Sequence, residues 1–155
     1  MKVRAREVPG LCAATIGVVV VELGLRTMRL PRLARLLGTP LAVDPADHPA
    51  DHPTDHSAGQ DDAPAVVLPD WALLRMEATR RVLRHSPFGD SCLRQALVCG
   101  WLVRRLRPRL QLGVAKVDGQ VRAHAWILVG GSVVDPRRAV SSYQPLTSVR
   151  TAAAS

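Results

Sequence analysis

Three side chains along this sequence could together perform acyl chemistry: the thiol of Cys92, the imidazole of His124 and the carboxylate of Asp135. They lie in Asp90-Ser91-Cys92-Leu93, in Ala123-His124-Ala125-Trp126 and in Val134-Asp135-Pro136. A thiol supplies a nucleophile, an imidazole takes its proton, and a carboxylate fixes the ring's orientation and tautomer. Each residue alone has a plainer reading: a structural cysteine at a helix start, a hydrogen-bonded strand histidine, an aspartate in a turn before proline. Their order, their elements and the face they share make the set more specific than its members.

The elements that must position them can be read around them. Asp70 is a candidate cap for a helix reaching roughly Leu83, with Trp71, Leu74, Ala78 and Val82 at helical spacing. His85 to Gly89 reads as a loop. Asp90 or Ser91 then caps a second helix from Cys92 to about Leu106, which Pro108 ends. Cys92 falls in its first turn, where unpaired N–H groups and the helix dipole favour a thiolate and can hold an oxyanion.

Strands follow. Residues 110–117 lead into Asp118-Gly119, a two-residue hairpin signal, and Gln120–Val129 is the return strand. Gly130-Gly131 turns the chain into Ser132–Asp135, so an antiparallel three-strand meander follows a helix, an α+β layout. If Val129 faces Ser132, Trp126 faces Asp135, and His124, Trp126 and Asp135 share one side of the sheet. His124 and Asp135 are then diagonal neighbours about 7–8 Å apart at the backbone, within side-chain reach. The site is complete if the Cys92 helix packs on that side.

Composition narrows the classes. A chain of 155 residues makes one domain with a modest core, and with aromatics at 3% that core must be Leu, Val and Ala. The net charge of +8 invites a nucleic acid, an anionic lipid or an acidic peptide as partner. The basic residues lack aromatic interleaving, so nucleic acid is not expected. Cys12, Cys92 and Cys99 form neither CxxC nor zinc spacing, which fits a reducing compartment, the cytoplasm. No metal and no cofactor are expected. Cys99, between Val98 and Gly100, reads as a small buried residue.

Residues 1–43 read as an N-terminal helical segment. Leu11–Val21 is apolar and Glu22 interrupts it, leaving a run too short to cross a bilayer. Pro31 separates it from a basic amphipathic stretch, Arg32–Leu37, whose plain role is packing and whose sharper one is peripheral contact with a partner or a membrane. Residues 44–68 read as a flexible linker: Asp47-His48-Pro49-Ala50 recurs as Asp51-His52-Pro53-Thr54 and Asp55-His56, without apolar periodicity. The chemistry-bearing domain is then 69–155.

The blocks Ser86-Pro87-Phe88, Cys92-Leu93-Arg94-Gln95-Ala96-Leu97, Leu112-Gly113-Val114, Ala123-His124-Ala125-Trp126, Val134-Asp135 and Tyr143-Gln144-Pro145-Leu146 resemble the transglutaminase-like cysteine peptidases of lasso-peptide biosynthesis, the B proteins. The resemblance implies a transglutaminase-like, papain-like core and a leader peptidase acting on a ribosomally made precursor peptide. Cys92 would be the nucleophile, His124 the base and Asp135 the orienting acid. It also implies a separate leader-recognition protein and a lasso cyclase as partners. Two rival readings keep the same residues: acyl transfer to an amine, and a non-catalytic peptide-binding scaffold.

Overall fold

In the computed structural model, residues 8–42, 68–135 and 139–146 are described; the linker expected at 44–68 lies outside them, save Leu68. Among these residues, four α-helices precede a four-stranded sheet. They are α1 (Val8–Thr27), α2 (Leu30–Leu36), α3 (Asp70–Arg84) and α4 (Cys92–Leu102). The strands β1 (Arg109–Val117), β2 (Gln120–Val129), β3 (Ser132–Val134) and β4 (Gln144–Pro145) lie in the order β3-β2-β1-β4, all neighbours antiparallel. The α+β layout stands, with a fourth strand added to the expected meander.

Turn chemistry sets the register. Asp118 and Gly119 both have positive φ, 51° and 76°, as do Gly130 and Gly131, 58° and 83°. Two successive left-handed residues match the twist of the flanking strands, and only glycine or a short polar residue takes them cheaply. Val129 accordingly pairs Ser132 and Ile127 pairs Val134, as the sequence predicts.

Three helix boundaries differ from expectation. The break after α1 falls at Met28 and Arg29, and Pro31 sits in the first turn of α2, where a missing N–H costs nothing. Pro69, in extended conformation, is the N-cap of α3, and Asp70 begins the helix without a side-chain cap. α4 stops at Leu102, and a 3-10 turn, Arg104–Leu106, carries the chain on until left-handed Arg107 ends it. Arg75 of α3 donates to the Leu102 carbonyl at 2.6 Å, satisfying an orphan acceptor of that helix end.

The apolar core lies between the helices and one side of the sheet. Ala14, Val18 and Val21 of α1 meet Leu97, Val98 and Cys99 of α4 in the same cluster as Leu110, Ala125, Ile127 and Val134. A fully buried Leu or Ile contributes about 1.5–3 kcal/mol, so this contact fixes the helical layer on the sheet. His124 and Trp126 occupy the alternate positions of β2 and point to the other side, where Gln111 and Gly113 are their β1 neighbours. α1 is therefore part of this core, and it runs on through Glu22. By length and composition alone, Pro9–Thr27 is long and apolar enough to cross a membrane, so the expected short run is corrected.

Gly113 stands opposite His124, and a Cβ there would lie 2.5 Å from Cη2 of Trp126 and 2.8 Å from the Gln144 carbonyl oxygen. The missing side chain admits the indole. Gly113→Ala should cost about 1–3 kcal/mol by overpacking, lowering the thermal midpoint by about 2–4 °C per kcal/mol; an unchanged melting curve would contradict this packing.

Candidate active site

β2 carries His124 in its buried half, and β3 ends at Val134 so that Asp135 follows it directly. The Nε2 atom of His124 lies 3.0 Å from Oδ2 of Asp135, with the side chains 5% and 3% exposed. The same oxygen accepts the N–H of Ala139 at 2.6 Å and of Val140 at 3.0 Å. Three donors converging on one oxygen hold the carboxylate still, and a carboxylate only accepts, so Nε2 must carry the proton of the shared bond. The lone pair of a neutral imidazole is then on Nδ1. That nitrogen has no hydrogen bond among the described residues, and it is not one of the polar atoms sealed from solvent.

Aromatic rings box the imidazole. Trp126 stacks on it with centroids 5.8 Å apart, and Tyr143 tilts against it at 5.0 Å. Tyr143 is carried there by the 3-10 turn Val140–Ser142 and by β4, which pairs with β1 at Gly113 and Val114. The turn that presents Tyr143 is the one whose first N–H groups bond Asp135. One carboxylate thus anchors both the ring's orientation and part of its enclosure.

Cys92 is the first residue of α4 and is half-buried. Ser91 is the N-cap in extended conformation, and its Oγ accepts from the N–H of Arg94 at 3.3 Å. The N–H groups of Cys92 and Leu93 have no partner among the described residues, so two oriented donors stand free beside the sulfur. α4 packs on β2, and no hydrogen bond joins the thiol to His124. The structure thus brings His124 and Asp135 together, but α4, which Cys92 heads, lies on the Ala125 and Ile127 side of β2, so the expected packing of the Cys92 helix on the His124 side is corrected: alternation along β2 gives the aliphatic side to the helices.

A brace that the sequence reading missed steadies this helix end. Glu22, 7% exposed and the only acidic residue of a largely apolar helix, takes Nε of Arg94 at 2.9 Å and Nε of Arg26 at 2.9 Å. Arg94 in turn reaches the Ser91 hydroxyl, and the Arg26 guanidinium lies over the Phe88 ring. The hydrogen bond from Arg94 holds the Glu22 carboxyl below its ordinary value of 4.5, burial opposes this, and Arg26 adds to it. In sequence, Glu22 is legible only as an interruption, since its partner is 72 residues away. Cys99 is fully buried as expected. Burial pushes its thiol up to about 12 against the opposing influence of the Thr79 hydroxyl and Arg80, so it is chemically quiet. Among the described residues, no group of His, Cys, Asp and Glu could hold a metal ion.

A family model described as the transglutaminase-like superfamily matches residues 19–148, from the middle of α1 to beyond β4. Members of that superfamily are generally cysteine peptidases or transferases. No curated protein and no solved structure matches the chain.

Two outcomes follow from these environments. A carboxyl whose folded value is depressed stabilises the fold above its unfolded value, and that contribution is lost as pH falls through the folded value. From about pH 4.5 downward the native protein should lose stability that a Glu22→Gln variant lacks from the start, as acid-titrated urea melts will show. An alkylating reagent applied to the native protein at mildly alkaline pH should label Cys12, which is exposed, and Cys92, while Cys99 reacts only after denaturation. Peptide mass mapping reads the three sites separately, and native labelling of Cys99 would contradict its sealed environment.

Proposed function

This chain belongs to the transglutaminase-like superfamily, and from that premise we propose that it is a cysteine peptidase that removes the leader from a ribosomally synthesised precursor peptide during lasso-peptide maturation. The observation that carries this reading is the buried His124–Asp135 pair with its unoccupied Nδ1. Such a ring is a base with its proton-bearing side already committed. The superfamily's chemistry calls for a thiol as its counterpart, and Cys92 heads the helix packed on the histidine's strand.

In the proposed reaction the Cys92 sulfur attacks the scissile carbonyl carbon and its proton passes to Nδ1 of His124. The oxyanion is met by the free N–H groups of Cys92 and Leu93. Nδ1 then returns the proton to the departing amine, which is the new N-terminus of the core peptide. Water, deprotonated by the same nitrogen, opens the thioester and releases the leader as a carboxylate. The step requires the sulfur to close onto Nδ1 from the end of α4. A separate leader-recognition protein would present the substrate, and a cyclase would consume the freed core in the cytoplasm.

The test is digestion of the precursor peptide in the presence of the recognition protein, followed by intact mass. Cys92→Ala should reduce leader release by at least about 10^4-fold while circular dichroism stays native. Cleavage that survives in the folded Cys92→Ala protein overturns the assignment. A product carrying an added amine in place of the hydroxyl from water would move the protein from peptidase to acyl transferase.

A further inference from the structure

The core uses only one side of α1. Ala14, Val18 and Val21 are buried, but Ile16, Val19, Val20 and Leu23 are 57%, 55%, 41% and 63% exposed. Their spacing of three, one and three residues makes a single stripe along the helix. Only a third of this helix's apolar window is buried at all. A contiguous aliphatic strip of this kind, open to water, marks a surface that another apolar phase covers.

What covers it is decided by charge. The stripe runs directly into Arg26, Arg29, Arg32 and Arg35, all exposed, with Met28 and Leu36 exposed among them. Arg29, Arg32 and Arg35 have no acidic partner among the described residues. The sole acid of residues 8–42, Glu22, is held between Arg26 and Arg94. An aliphatic strip bordered by unpaired guanidinium groups fits an interface that is hydrocarbon below and anionic above. A second copy of the chain would set arginine against arginine across a twofold axis. Spanning is excluded by the core contacts of the opposite side and by the Glu22 ion pairs, so the helix must lie flat.

We propose that the outer face of α1, with the arginines of α2 and the preceding turn, docks the protein on an anionic phospholipid surface. This assignment is independent of the peptidase reading. It also leaves the Cys92 end of α4 attached to the docked helix through Glu22 and Arg94, so the site would be held at a fixed height above the lipid.

The full-length protein is sedimented with vesicles of phosphatidylcholine alone and of phosphatidylcholine mixed with phosphatidylglycerol. Partitioning should require the anionic lipid and weaken as salt is raised. Neutralising Arg29, Arg32 and Arg35 to glutamine should lower the partition coefficient about fivefold per arginine, on the order of a hundredfold for all three. Val20→Ser with Leu23→Ser, at exposed positions, should lower it with all the arginines intact. Native circular dichroism checks that both variants fold. Equal binding to the two vesicle types, partitioning indifferent to either set of substitutions, or dimerisation abolished by the serine pair without anionic-vesicle binding would each overturn the proposal.

Discussion

One oxygen atom organises the candidate site. Oδ2 of Asp135 receives Nε2 of His124 and the N–H groups of Ala139 and Val140, on a side chain almost wholly removed from water. Hydrogen bonds to a charged acceptor are about twice as strong as neutral ones, and burial lets none of the three exchange freely with solvent. The consequence is directional. The imidazole cannot turn over without breaking the contact, so Nδ1 faces away from Asp135, and the turn bearing Tyr143 is pinned by the same atom.

The remaining architecture serves that constraint from two sides. The I′-type hairpin turns hold β2 in register with β1 and β3, which puts Gly113 beside His124 and leaves room for the Trp126 indole against the ring. The helical layer carries Cys92, the nucleophile of the proposed reaction. Its contact with the sheet is aliphatic and runs through Ala125 and Ile127, the neighbours of His124 that face the opposite way. Alternation along one strand therefore divides the labour: even-numbered residues of this stretch line the candidate site, and odd-numbered ones build the core. The Glu22–Arg94–Ser91 chain then ties the start of α4 to α1, so the position of Cys92 depends on helix packing as well as on its own cap.

Where local chemistry decides structure, the sequence was sufficient. Two glycine-containing turns make the strand pairing and the His124–Asp135 contact readable from local pattern alone. The end of α4 was not, because apolar spacing continues past Leu102 into the 3-10 turn and hides the change of helix type. β4 was missed as a strand because two residues, one of them proline, carry no periodicity, and it exists only by pairing with β1. Glu22 shows in the sequence only as a break in an apolar run, because its meaning comes from Arg94, a partner no local pattern reveals. The exposed side of α1 had the same difficulty, since an apolar sequence does not say which half of it the core will use.

The account rests on the sulfur of Cys92 closing onto Nδ1 of His124, and a short bifunctional alkylator measures this directly. Dibromoacetone reacts first with a thiol and then with any imidazole nitrogen in immediate reach. Treatment of the native protein followed by peptide mass mapping should give Cys92 and His124 joined by one three-carbon bridge, attached at Nδ1. Cys92 carrying only a single-ended adduct, with His124 unmodified, would contradict the assembled site.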